Sequence, residues 1–148
     1  MKTASIKWAF VALASGIMFS CQKDKSESTT PSCEVSMNGL AGSYRLTALE
    51  YKSATNASPV DFLASMDACE KDDILTLNSN GSYKYDDMGT VCSPSGTEQG
   101  TWTVSGKTLT SDGILSGTVA SYDCKTLVYY VENALTKGDR FTYTLVKK

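Results

Sequence analysis

The sequence predicts an all-β domain: an eight-stranded antiparallel up-and-down barrel with one short helix between its first and second strands. Three observations lead there. From about residue 40 the chain runs in short segments of alternating apolar and polar residues, rich in Tyr, Thr, Val and Leu. Turn-forming pairs separate most of these segments, so consecutive strands become neighbours. Only one connection, residues 53–72, is long.

Taken in chain order, residues 1–20 read as an export signal. Lys2 and Lys7 give a basic start, and residues 8–14 form an apolar core too short to span a bilayer. Residues 15–20 then lead to Cys21. This end resembles a lipobox, in which a small residue, here Ser20, precedes a cysteine that is lipidated and becomes the new N-terminus. The expected contact with a membrane is therefore the lipid on Cys21. Residues 21–37 are largely polar and lack apolar periodicity, as a tether does. Within them Gln22, Lys23 and Asp24 resemble the charged segment that sends Bacteroidetes lipoproteins to the outer face of the outer membrane. A lipid-anchored outer-membrane location, periplasmic or surface-exposed, is expected. Loss of residues 1–20 removes two lysines and no acid, moving the net charge from −2 to −4. Without a basic patch, nucleic acid is not an expected partner.

The domain proper is expected at 38–148, with strands at about 43–52, 73–78, 82–88, 99–104, 107–111, 114–121, 125–132 and 139–147. Asn80-Gly81, Ser105-Gly106, Asp112-Gly113, Tyr122-Asp123 and Lys137-Gly138 mark turns. A two-residue loop at Asn80-Gly81 would oppose Leu75 and Leu77 to Asp86 and Lys84. A three-residue loop, 79–81, instead pairs Leu75 with Tyr85 and Leu77 with Tyr83, and gives Gly81 the left-handed position of a bulge. The second register keeps one face apolar and is adopted. The same alternation turns Tyr44, Leu46 and Ala48 inward, with Trp102 and Val104, then Leu127, Tyr129 and Val131, then Phe141, Tyr143 and Leu145.

In the long connection Ser58 suits an N-cap, Pro59 the first helical position and Asp61 the first turn. The expected element is a short helix with Phe62, Leu63 and Met66 on one stripe. Lying across the barrel mouth, it would make Phe62 and Met66 a lid; alternatively it only plugs the core.

With Cys21 assigned to lipid, Cys33, Cys69, Cys92 and Cys124 remain. An even number in an oxidising compartment suggests two disulfides. In an up-and-down barrel Cys69 and Cys92 flank the second hairpin at one rim, while Cys33 and Cys124 fall at the other. The topology thus pairs Cys69 with Cys92 and Cys33 with Cys124.

Residues 40–46, 69–83, Cys92 and the run Gly100-Thr101-Trp102 resemble the lipocalin-like domains of Bacteroidetes lipoproteins, over roughly residues 38–148. Gly42-Ser43-Tyr44 stands where that family carries Gly-x-Trp. The resemblance implies a compact eight-stranded binding barrel and names no ligand.

The chain has no histidine, which removes Ser-His-Asp and Cys-His chemistry, and it has no phosphate loop or dinucleotide fingerprint. A non-enzymatic protein is expected, with no cofactor. No carboxylate is assigned to an inward face with a partner, as a glycosidase-like pair would require. Asp73 opposite Asp87, with Asp72, Asp86, Asp67 and Glu70 nearby, would suit calcium or form a solvated acidic rim relieved by Lys71 and Lys84. The rim reading is taken, and no metal is assigned. The candidate ligand-binding residues are Tyr44, Leu46, Leu75, Leu77, Tyr83, Tyr85, Trp102, Leu127, Tyr129, Phe141 and Tyr143. These could line a cavity for a small apolar ligand or fill a solid core that offers its surface to another envelope protein. The cavity reading is preferred.

Overall fold

The computed structural model describes residues 33–148. The expected signal, the lipidation site Cys21 and residues 21–32 of the expected tether lie outside the described residues. A four-residue helix α1 (Met37–Leu40) leads into β1 (Gly42–Lys52), followed by β2 (Val60–Asp61), β3 (Ile74–Leu77), β4 (Ser82–Asp86) and β5 (Glu98–Ser105). Then come β6 (Thr108–Ser111), β7 (Leu115–Tyr122), β8 (Thr126–Glu132) and β9 (Arg140–Lys147). All pairings are antiparallel: β1 pairs with β2 and β3, β3 to β9 pair in sequence order, and β1 also pairs with β9. That last pairing closes an eight-stranded ring of β1 and β3 to β9, with the two-residue β2 outside it.

The second hairpin has the three-residue register: Leu75 opposes Tyr85 and Leu77 opposes Tyr83. Gly81 takes φ +88° and stacks its backbone on the next strand, accepting a hydrogen bond from Trp102 N–H at 2.8 Å. A side chain there would be strained by that φ and would start 3.3 Å from the Trp102 carbonyl. Both disulfides form as the topology requires, Cys33–Cys124 and Cys69–Cys92, with Cα separations of 4.9 and 5.3 Å.

Two expectations are corrected. The first strand does not keep one alternation, because its register against β9 shifts between Leu46 and Ala48. One extra residue swaps the faces beyond it. Leu49 is therefore buried, while Ala48 is opposed to Thr144.

The long connection is the second correction. Ser58 and Pro59 start no α-helix; Val60–Asp61 is a strand, followed by single 3-10 turns at Leu63–Ser65 and Ala68–Glu70. The reason is tertiary. β1 has 11 residues but β3 pairs only with Gly42–Arg45, so the far edge of β1 has backbone groups to satisfy. Val60 and Asp61 pair with Tyr51 and Glu50, and Phe62 N–H donates to the Leu49 carbonyl at 2.8 Å. Asp61 then caps the following turn by accepting from Ala64 N–H.

The two ends of the barrel differ. At one end the hairpin turns are short and α1 lies beneath them, its Ser36 cap accepting from Gly39 N–H. Tyr44 donates to the Leu40 carbonyl at 2.7 Å, and Tyr122 and Lys147 both donate to that of Gly39. Leu40 is fully buried among Tyr44, Leu77, Trp102, Val119, Leu127 and Leu145. This end is solid. The longer connections, 53–73, 87–97 and 133–139, all lie at the other.

Candidate functional site

The candidate site is the interior of the barrel above that solid end. Strand alternation sends every second side chain inward, and the ring leaves a cavity of about 210 Å³ that its packed floor does not fill. Its walls come from every strand of the ring. Tyr44 and Leu46 project from β1, Leu75 and Leu77 from β3, and Tyr83 and Tyr85 from β4. Trp102 contributes from β5, Tyr129 from β8 and Tyr143 from β9. Tyr129 and Tyr143 stack with ring centres 4.7 Å apart and planes 7° from parallel.

Two residues expected in the wall are elsewhere. Leu127 is buried in the packed floor. Phe141 is buried near the rim against Tyr51 and Phe62, with ring centres 4.7 and 5.2 Å away. The expected lid is also displaced: neither Phe62 nor Met66 lines the cavity. Phe62 is held over Tyr51 and Phe141 by the β2 pairing, so the 53–73 connection packs on the side of the rim.

Sequence reasoning missed Asp73, Leu109, Ser111, Leu115 and Gly117, all of which line the cavity, and it placed Val131 and Leu145 inward without assigning them to the site. Asp73 was readable. It precedes Leu75 and Leu77 by the same two-residue step that turns them inward, and it lines the cavity without a second carboxylate beside it in the wall. Gly117 leaves room where a side chain would begin 3.0 Å from the Tyr129 ring. Gly100 does the same for Tyr83, whose ring crosses it so that the hydroxyl sits 2.8 Å from Asp112 Oδ2 and 2.9 Å from Glu98 Oε1. That gives the Gly100-Thr101-Trp102 run a physical role.

The cavity is mostly apolar with a few polar groups. Asp73 is 5% exposed, and its Oδ1 accepts from Met88 N–H at 3.1 Å. Burial, and then the neighbouring Asp73 carboxyl, push the Tyr85 hydroxyl up to about 12. Burial also raises Tyr129, aided by Tyr143 and Tyr85, and raises Tyr143. The hydroxyls of these tyrosines are thus protonated donors at neutral pH.

Most of the remaining acids of the rim are engaged in building it, whereas Asp72 Oδ1 is buried without a hydrogen-bond partner. Asp87 accepts from Cys92 and Gly96 N–H, Asp67 and Glu70 form a reciprocal cap, and Lys84 pairs with Asp86. Lys71 donates to the Ala64 carbonyl instead of an acid. Among the described residues no group of acids and cysteines is placed to hold a metal ion.

At the open rim the large exposed apolar side chains gather: Val60 and Phe62, Met88 and Val91, Ile114 and Leu115, and Leu135. Each connection of this rim supplies at least one. Leu115 also lines the cavity, which places the mouth here. Chemically, the arrangement can enclose a compact apolar body and orient it through a carboxyl and several hydroxyls.

A family model described as the lipocalin-like domain matches residues 40–148. No curated protein matches the chain.

Proposed function

Because the chain belongs to the lipocalin-like domain family, we propose that it is a lipid-anchored lipoprotein of the cell envelope whose barrel carries a small, largely apolar molecule. The observation that carries this reading is the unfilled interior, about 210 Å³ bounded by Trp102, Tyr85, Tyr129 and Tyr143. Aromatic walls with a few polar groups are the usual make-up of small-molecule sites, and the volume lies below the roughly 300–1,000 Å³ of drug-sized ones. The cargo is accordingly compact. It enters past Leu115, between the apolar side chains of the open rim. The chain enters the domain at the closed end, where Cys33 is bonded to Cys124, so a lipid on Cys21 tethers the protein from the end opposite the mouth. The role is binding, not catalysis.

Native mass spectrometry tests the reading on the full chain, extracted in mild detergent from the envelope of the cells that make it. A small molecule should remain bound and be lost from Gly117→Leu, whose side chain would grow toward Tyr129. A bare protein mass in both, before and after incubation with the lipid and metabolite extract of the same cells, contradicts it.

A second reading is favoured by the rim itself. Val60, Val91, Ile114 and Leu135 are exposed and do not line the cavity, and they would suit docking of another envelope protein around the mouth.

A further inference from the structure

We propose that the cargo is a small organic ammonium ion, an apolar or aromatic body carrying one protonated amine, with that amine seated against Asp73. The inference rests on the carrier reading and names the class of molecule carried. Among the described residues Asp73 is the only charged side chain in the cavity wall. It is 95% buried, and among the described residues the ion pairs are Lys84 with Asp86 and Arg140 with Glu132, neither of which involves it. Met88 N–H donates to its Oδ1 at 3.1 Å and the Tyr85 hydroxyl is hydrogen-bonded to it; both partners are neutral. A carboxylate taken from water without a cation is costly, and its partner must then come from elsewhere.

The surroundings fit the same guest. Asp73 shares the cavity with the rings of Tyr85, Tyr129 and Tyr143, and aromatic faces attract cations. A protonated amine donates charge-assisted hydrogen bonds to the carboxylate while its hydrocarbon part fills the space above Trp102. Among the described residues no lysine or arginine lines the walls. A fatty acid or other anionic amphiphile would therefore bring its charge to a site with no cation and one carboxylate. The wall selects against that class.

Isothermal titration calorimetry of the full chain in detergent tests this with three probes of nearly equal size: 2-phenylethylammonium, 2-phenylethanol and phenylacetate. The ammonium should bind at least about tenfold more tightly than the alcohol, and the carboxylate should not bind measurably. Asp73→Asn retains an oxygen for Met88 N–H and removes the charge; it should abolish the preference, bringing the ammonium to the affinity of the alcohol. Should Asp73→Asn not fold, the ranking of the three probes on the unaltered chain decides alone. Equal binding of ammonium and alcohol, or tighter binding of phenylacetate, overturns the inference and leaves the carrier reading standing. Binding of none of the three also overturns it, and the carrier reading is then judged separately by the co-purified mass.

Discussion

Trp102 joins the floor of the cavity to the turn beside it. Its ring is 1% exposed, its indole N–H donates to the Asn78 carbonyl at 2.9 Å, and its backbone N–H to Gly81. Trp102→Ala should lower the free energy of unfolding by about 3–5 kcal/mol, read from urea denaturation followed by far-ultraviolet circular dichroism. Asp139 does comparable work at the opposite rim. Its carboxylate accepts from the backbone N–H groups of Ala134, Leu135 and Thr136 and from the Tyr51 hydroxyl. Burial works to raise its pKa, but the donors from Thr136, Leu135, Ala134 and Tyr51 prevail and hold it below the ordinary carboxylate range. A carboxyl whose pKa is lower in the folded state stabilises fully above its unfolded value of about 4, and this stabilisation is lost as pH falls through the folded value. Unfolding free energy measured from pH 6 to pH 2 should therefore fall less steeply below pH 4 in Asp139→Asn than in the unaltered protein.

Elements follow from such residues together with the edges they must satisfy. The second hairpin was legible because only one loop length keeps Leu75, Leu77, Tyr83 and Tyr85 on one face. The connection after β1 was not. Ser58, Pro59 and Asp61 carry good local helix-start chemistry, yet the unpaired edge of β1 recruits Val60 and Asp61 as a strand. Nor does alternation announce the register shift after Leu46, since a bulge adds a residue without any change of composition. The Cys69–Cys92 disulfide ties the incoming connection to the 87–97 loop across a sequence separation of 23. Replacing both cysteines by serine should lower stability by about 3 kcal/mol. Amide exchange should quicken in residues 87–97 while the α1 end of the barrel keeps its protection. Uniform acceleration over the whole chain would mean that this disulfide holds the entire barrel and not one rim.

At the scale of the molecule, one end is plugged by α1 and Leu40 and the other is open, apolar and fed by the longer connections. The closed ring could be read from eight alternating segments and short turns, and nine of the eleven expected wall residues meet in one cavity. What the alternation could not give is which inward residues pack solid and which leave space. Leu127 and Tyr129 face the same way two residues apart, and only the depth of α1's plug puts one in the floor and the other in the wall. Carriage requires that this space exist and accept a guest. Diffraction from crystals pressurised with xenon tests it most directly, because an apolar cavity takes up the gas where a packed core cannot. Electron density is expected between Trp102 and Tyr129, from xenon or from a molecule retained from the cell. Side chains closed over that space, with no density in it, would contradict the account and leave a solid barrel that works through its rim.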